Sequence, residues 1–341
     1  LCLPSPMPEL LLTRSCDYGC GCCCQARSLD PSGVPRDLIS WEDLVYVADF
    51  LLASGEPRIT LSGGEPSLHP EFVAMTAYLV ERGFEVAVST AGIRKGKALG
   101  EASAVFEAYP PQRFSIILNL DPLIQGDPAT AEADGIQEFL ENFGNRCFPT
   151  IRLGDADFDL TDPLQLIFQF GMSRNLSVGL CHPILGHGSP APEPSQIRAI
   201  VNRFFSFADL MERFRIQPIF ACGWPQCCFD DGQMSWLARN AGRCDFTCGP
   251  TIGIGPDLTV WPCFPLNRFR NRSLFEFNSL QEIIYLYFDA FNKVKVEAGG
   301  IFPDCDTCRF RDLQRCGGGC LVHNVLSFLD EEPLRLPEVY P

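Results

Sequence analysis

Apolar and polar positions follow two alternating periods through the first half of the chain. Short β-rich runs at Leu10–Ser15, Arg58–Ser62, Glu85–Thr90, Ser115–Asp121, Cys147–Leu153 and Ser177–His182 are separated by segments with helical spacing. In one such segment Trp41, Leu44, Val45, Ala48 and Leu52 fall on one helix face behind Ser40, a good N-cap. Another starts after Pro70 and groups Phe72, Met75 and Leu79. Strand–helix units repeated in this order predict a parallel sheet, curved or doubly wound. Right-handed crossovers bring every strand's C-terminal end to one rim, and function is expected there.

The pattern then changes. Leu185–Ser195 (LGHGSPAPEPS) is rich in Pro, Gly and Ser and reads as a linker, followed by one long helix over Gln196–Phe214. From Phe220 onward the chain is Cys-, Gly- and Pro-rich with little periodicity, so it needs staples in place of a core. The expected division is 1–185, a strand–helix domain; 186–219, linker and bridging helix; 220–326, a cysteine-rich domain; and 327–341, a Pro-rich tail lying on the surface. No apolar run reaches the roughly 20 residues of a membrane helix. The longest, Ile283–Phe291, is broken by Asp289. The first residues lack a basic segment and a cleavage site, so no signal peptide is expected.

Composition narrows the choices. With 341 residues, 46% hydrophobic and 20% charged, the chain can build a packed core. Its net charge of −15 disfavours nucleic acid and acidic membrane surfaces as partners. The 18 Cys are bunched, five within Cys16–Cys24 and four within Cys305–Cys320. Bunching at short offsets suits metal ligation in a reduced, cytoplasmic compartment.

Two motifs carry the chemistry. Cys16, Cys20 and Cys23 form a Cys-x3-Cys-x2-Cys loop directly after the first strand. Three thiolates hold three corners of an iron–sulfur cubane and leave one iron open to a ligand. Gly63-Gly64-Glu65-Pro66 follows the second strand, where two glycines permit close backbone approach and a Glu accepts from an ammonium group. In order and spacing the pair resembles the radical SAM superfamily. The resemblance implies an α/β fold, a partial (β/α)6 TIM-like barrel with a C-terminal cysteine-rich cluster-binding domain. It further implies a [4Fe–4S] cluster on Cys16, Cys20 and Cys23 that chelates S-adenosylmethionine (SAM), with Gly63, Gly64, Glu65 and Pro66 receiving the methionine ammonium. The residue before the third Cys is usually aromatic in that family; here it is Cys22. Ser89, Thr90, Asn119 and Arg152, at the ends of the third to fifth strands, are further candidates for SAM contact, the alternative being ordinary polar strand ends.

The C-terminal cysteines read Cys244-x3-Cys248-x14-Cys263, then Cys305-x2-Cys308-x7-Cys316-x3-Cys320. They resemble the SPASM extension of radical SAM proteins, which binds two auxiliary [4Fe–4S] clusters. Here the middle spacing is two longer, and the final distal Cys is absent. The resemblance implies a first auxiliary site on Cys244, Cys248, Cys263 and Cys320. It implies a second on Cys305, Cys308 and Cys316, whose fourth ligand is Cys222, Cys227, Cys228 or His323, or is absent and leaves an open iron. A zinc knuckle on the 305–320 block is the alternative. Cys181, after the sixth strand, is either a hydrogen-atom donor or a buried small hydrophobe. His69 and His187 are expected in solvated turns, and Cys2, Cys22, Cys24 and Cys147 have no assigned task.

The implied activity is reductive cleavage of SAM to a 5′-deoxyadenosyl radical that takes hydrogen from a substrate C–H bond. SPASM-type relatives point to a peptide or protein substrate, which is crosslinked, oxidised or epimerised. An external electron donor such as flavodoxin or ferredoxin would be needed. The loop begins at residue 16, so peptide modification is expected to need a separate leader-recognition protein or direct substrate binding. The alternatives are a small-molecule dehydrogenase or rearrangement enzyme, and a non-enzymatic zinc- or cluster-binding scaffold.

Overall fold

The computed structural model of the chain describes residues 7–16, 37–92, 97–124, 133–183, 191–220, 223–297, 299–323 and 325. Six parallel strands form its centre: β1 Glu9–Thr13, β2 Arg58–Gly63, β3 Glu85–Thr90, β4 Phe114–Asn119, β5 Cys147–Leu153 and β6 Asn175–Leu180. They lie in sequence order. All six strands read from the sequence are present, with ends displaced by a residue or two. The helices between them are α1 Trp41–Ala53, α2 Phe72–Glu81, α3 Lys97–Phe106, the short α4 Asp121–Ile124, α5 Ala133–Phe143 and α6 Thr161–Gln169. Ser40 caps α1, its side chain accepting from the Asp43 N–H at 3.1 Å. The buried face of α1 is Leu44, Val47, Ala48, Phe50 and Leu51, so Trp41 and Leu52 lie nearer its edge. In α2 Phe72, Met75 and Leu79 are buried, as their spacing predicts. Leu10 and Leu12 of β1, Ile59 and Leu61 of β2 and Val86 and Val88 of β3 join the helices in one continuous apolar core.

The second half holds more regular elements than its composition suggests. The long helix is two, α7 Ile197–Phe205 and α8 Ala208–Phe214. The break falls at Ser206, whose N–H and hydroxyl both donate to Arg203 O. Arg203 is itself turned away to the Phe158 carbonyl, which accepts from its Nε and Nη2. A seventh parallel strand, β7 Gln217–Phe220, then adds to β6, and β8 Arg243–Cys244 adds to β7. Between them lies α9 Asp231–Asn240. At the opposite edge β9 Gly253–Ile254 pairs parallel with β1, extended by β10 Thr259–Trp261 and β11 Arg272–Ser273. The result is one open eleven-stranded sheet, so the cysteine-rich segment grips both edges of the barrel. It also contains an 18-residue helix, α10 Leu280–Glu297, which buries Leu280, Ile283, Tyr287, Ala290, Phe291 and Val294. Among the described residues no helix is long and apolar enough to cross a membrane.

Candidate active site

The exit of β1 is held from several sides. A register shift between Leu11 and Thr13 bends the strand where it meets β2. Such a bulge re-aims the residues that follow it. Thr13 O then accepts from Gly64 N at 2.8 Å, and Ser15 O from Glu65 N at 2.9 Å. The backbones are so close that a Cβ on Gly64 would lie 2.1 Å from Ser15 O. Only glycine permits that approach. On the other side Ile39 N donates to Leu12 O, and Arg14 pairs with Asp257 at 3.0 Å. Cys16 therefore leaves β1 at a defined place on the rim. Cys20 and Cys23 lie outside the described residues.

Glu65 is buried, and donors surround it. Ser67 N at 3.1 Å, Ser67 Oγ at 2.7 Å, Thr90 Oγ1 at 2.8 Å and Ala91 N at 3.3 Å all donate to its carboxylate. Burial raises its pKa, and these hydrogen bonds pull it back. Glu65 thus fastens the turn after β2 to the end of β3. Opposite it, Asp121 is buried and accepts from Arg152 N at 2.6 Å and Arg152 Nε at 2.9 Å. Burial lifts the Asp121 carboxyl while Arg152 opposes that lift. The pair fixes the Arg152 guanidinium across the rim.

These groups share one cavity of about 320 Å³ at the strand C-termini. Cys16, Gly64, Glu65, Ser89, Thr90, Asn119 and Arg152 all line it. Gly63 and Pro66 stand behind that wall, in β2 and the turn after it. Four further polar lining residues escaped the sequence reading: Glu9, Thr150, Ser177 and His182. Alternation along the strands marks Ser177 and Thr150 as one-sided positions, but nothing marks Glu9, at the wrong end of β1, as facing the lumen. Burial raises the pKa of Glu9, with Arg152 lowering it. Burial pushes His182 down to about 4, helped by His323 and Arg152, so the imidazole is neutral near pH 7. Phe264 and Pro265, just after Cys263, close the cavity from the cysteine-rich side. A second cavity, about 1090 Å³, shares Glu9 and Ser89 with the first and extends between the barrel and the cysteine-rich segment. Its lining includes Cys248, Cys316, Lys295 and Arg311.

Two sequence expectations are corrected. Cys181 is disulfide-bonded, so it carries no S–H to donate as a hydrogen atom. His69 is buried rather than solvated: its Nε2 lies 3.0 Å from Ile39 O, and its Nδ1 accepts from Glu71 N. His187, Cys2, Cys22, Cys24 and Cys222 fall outside the described residues. Cys147 is buried, its thiol pKa driven up by desolvation, and it donates to Phe143 O.

The C-terminal cysteines fall in two neighbourhoods. Cys248 and Cys320 share one buried apolar cluster with Cys263 packed against it. Cys228 and Cys316 belong to the main core, with Cys244 against it. Cys305 and Cys308 follow in a compact turn, Cys308 N donating to Cys305 O. Among the described residues no three His, Cys, Asp or Glu side chains already converge as a metal cage.

Residues 10–117 match the radical SAM superfamily. The chain is similar to the PqqA peptide cyclase of Methylobacterium nodulans, 32% identical over 107 residues, 31% of this chain and 27% of that protein. It is similar to GTP 3′,8-cyclase 2 of Pseudomonas aeruginosa, 32% identical over 114 residues, 33% of this chain and 32% of that protein. The matched segment thus spans less than a third of either relative. In fold the chain is similar to Streptococcus suis SuiB bound to precursor peptide SuiA, with TM-score 0.63 and 13% identity over 96% of this chain and 73% of that one. It is likewise similar to anSMEcpe with bound AdoMet, with TM-score 0.57 and 16% identity over 95% of both chains.

Proposed function

We propose that this chain, whose residues 10–117 belong to the radical SAM superfamily, is an enzyme that cleaves SAM reductively and takes hydrogen from a C–H bond of a peptide or protein. One observation carries the reading: Cys16, the first cysteine of the loop, and Gly64 and Glu65 of the GGEP turn, far apart in sequence, line a single cavity with Ser89, Thr90, Asn119 and Arg152. The residues fit the group. Cys16 stands at the cavity wall with Cys20 and Cys23 following in sequence, and polar side chains of Ser89, Thr90, Asn119 and Arg152 stand among the apolar lining. When bound, the [4Fe–4S] cluster and SAM supply one-electron cleavage of the sulfonium and the hydrogen abstraction. The chain does the rest. Gly64 brings the backbone within reach of a ligand amine. Arg152, held by Asp121, offers a guanidinium to a carboxylate. Phe264 and Pro265 supply apolar walls on the cysteine-rich side. An external one-electron donor of the flavodoxin or ferredoxin kind completes the cycle.

The peptide assignment rests on the larger cavity, which shares Glu9 and Ser89 with the first, and on the names of a peptide cyclase relative and of a similar structure bound to a precursor peptide. The nucleotide cyclase relative supports a second reading, a small-molecule substrate. Incubation of reduced enzyme with SAM and short peptides encoded beside the gene separates them. Loss of a hydrogen pair, or an unchanged mass with one deuteron gained from D2O, supports the peptide. Unaltered peptides, with a metabolite consumed as 5′-deoxyadenosine forms, support the second reading.

A further inference from the structure

The 305–316 block supplies three cysteines, and a cubane closed by protein needs a fourth thiolate. The structure points to a turn far upstream, just beyond β7. Gln226–Cys228 forms a single 3-10 turn, its Cys227 carbonyl held by Arg198 Nη2 at 2.9 Å. The next residue, Phe229, packs on Phe246 with ring centroids 5.4 Å apart. Phe246 O in turn accepts from Gly317 N at 2.7 Å, so one aromatic layer joins this turn to the 316–318 segment. Cys316 Sγ accepts from Gly318 N at 3.4 Å, an N–H···S contact of the kind that tunes cluster sulfurs. Cys305 abuts the same glycine pair: a Cβ on Gly300 would lie 2.4 Å from Cys305 Sγ and 3.0 Å from Gly318 Cα. Cys305 is within electrostatic reach of both Cys227 and Cys316, and Cys227 of Asp304. Cys228, which interacts with Cys316, is buried, whereas Cys227 is exposed.

We infer that Cys227 is the fourth ligand of the second auxiliary cluster, together with Cys305, Cys308 and Cys316. The inference rests on the cluster-binding reading of the cysteine-rich segment, and it takes the missing ligand from the barrel side. Four thiols with a backbone N–H aimed at one sulfur suit a [4Fe–4S] group. The second cluster then bridges β7 of the barrel and the C-terminal block, so its assembly couples the two.

The test uses the full chain with Cys16, Cys20 and Cys23 replaced by Ala, reconstituted anaerobically, so that only auxiliary iron remains. This background should hold about eight iron and eight sulfide, as expected of two cubanes. A cubane with three protein ligands readily loses its open iron on mild oxidation, whereas one with four does not. Ferricyanide should therefore give no [3Fe–4S] EPR signal in the background protein. Cys227→Ala, or Cys227→Ser if the first fails to fold by circular dichroism, should give about one [3Fe–4S] spin per chain or lose roughly half the iron. Cys228→Ala should behave as the background does. A Cys227 variant with unchanged iron and no new signal overturns the assignment alone, as does the signal appearing in Cys228→Ala instead. A background protein with no iron, or with stoichiometric zinc, overturns the assignment together with the cluster reading.

Discussion

Glu65 illustrates how a residue's type and its task separate. The resemblance gives its carboxylate to the methionine ammonium, yet Ser67, Thr90 and Ala91 already donate to both its oxygens. Its near-complete burial, 1% exposed, leaves little of it for a ligand. It acts as a strut between β2 and β3 that shapes the wall of the cavity. Removing it leaves the Ser67 and Thr90 donors without their acceptor, at a cost of about 1–3 kcal/mol. Glu65→Ala should therefore lower the denaturant midpoint of the protein in the absence of SAM. If it weakens SAM binding while that midpoint stays fixed, the carboxylate serves the ligand instead. Asp121 has a similar character: it touches Arg152 rather than the cavity, and it escaped the candidate set because a polar residue just past a strand is an ordinary sight in sequence.

At the scale of elements, the rim depends on two backbones lying closer than side chains allow. Gly64→Ala drives a Cβ into Ser15 O, and rigid backbone can relieve it only by moving the exit of β1. Overpacking of this kind costs about 1–3 kcal/mol. The displaced residue is Cys16, so iron in the first cluster should fall by at least half while auxiliary iron stays. Iron analysis of Gly64→Ala beside the Cys16, Cys20 and Cys23 triple variant measures both. The six barrel strands were legible because each is a β-rich run closed by a turn, and the two motifs were legible because their spacing is local. The later strands were not. β8, β9 and β11 have two residues each, too short for any period, and they exist because open sheet edges at β1 and β7 recruit them. α10 was readable in principle, since Leu280, Ile283, Tyr287, Phe291 and Val294 follow helical spacing; the surrounding Cys and Gly content masked it. The disulfide at Cys181 had no signal, because its formation depends on tertiary placement.

Across the whole molecule, the cysteine-rich segment is woven into the barrel. β9 pairs with β1, β8 extends β7, Asp257 holds Arg14, and Ser54 after α1 accepts from Leu280 N at the start of α10. The rim cavity is consequently lined by residues from both halves, and a second cavity that shares Glu9 and Ser89 with it reaches Cys248 and Cys316. The central claim is reductive cleavage of SAM on a cluster held by Cys16, Cys20 and Cys23. The direct measurement is 5′-deoxyadenosine formed from SAM by anaerobically reconstituted, dithionite-reduced protein, quantified by chromatography. The account predicts more than one equivalent per chain over time, and none when those three cysteines are Ala. Iron-loaded protein that binds SAM and yields no 5′-deoxyadenosine, with or without candidate peptides, would contradict it.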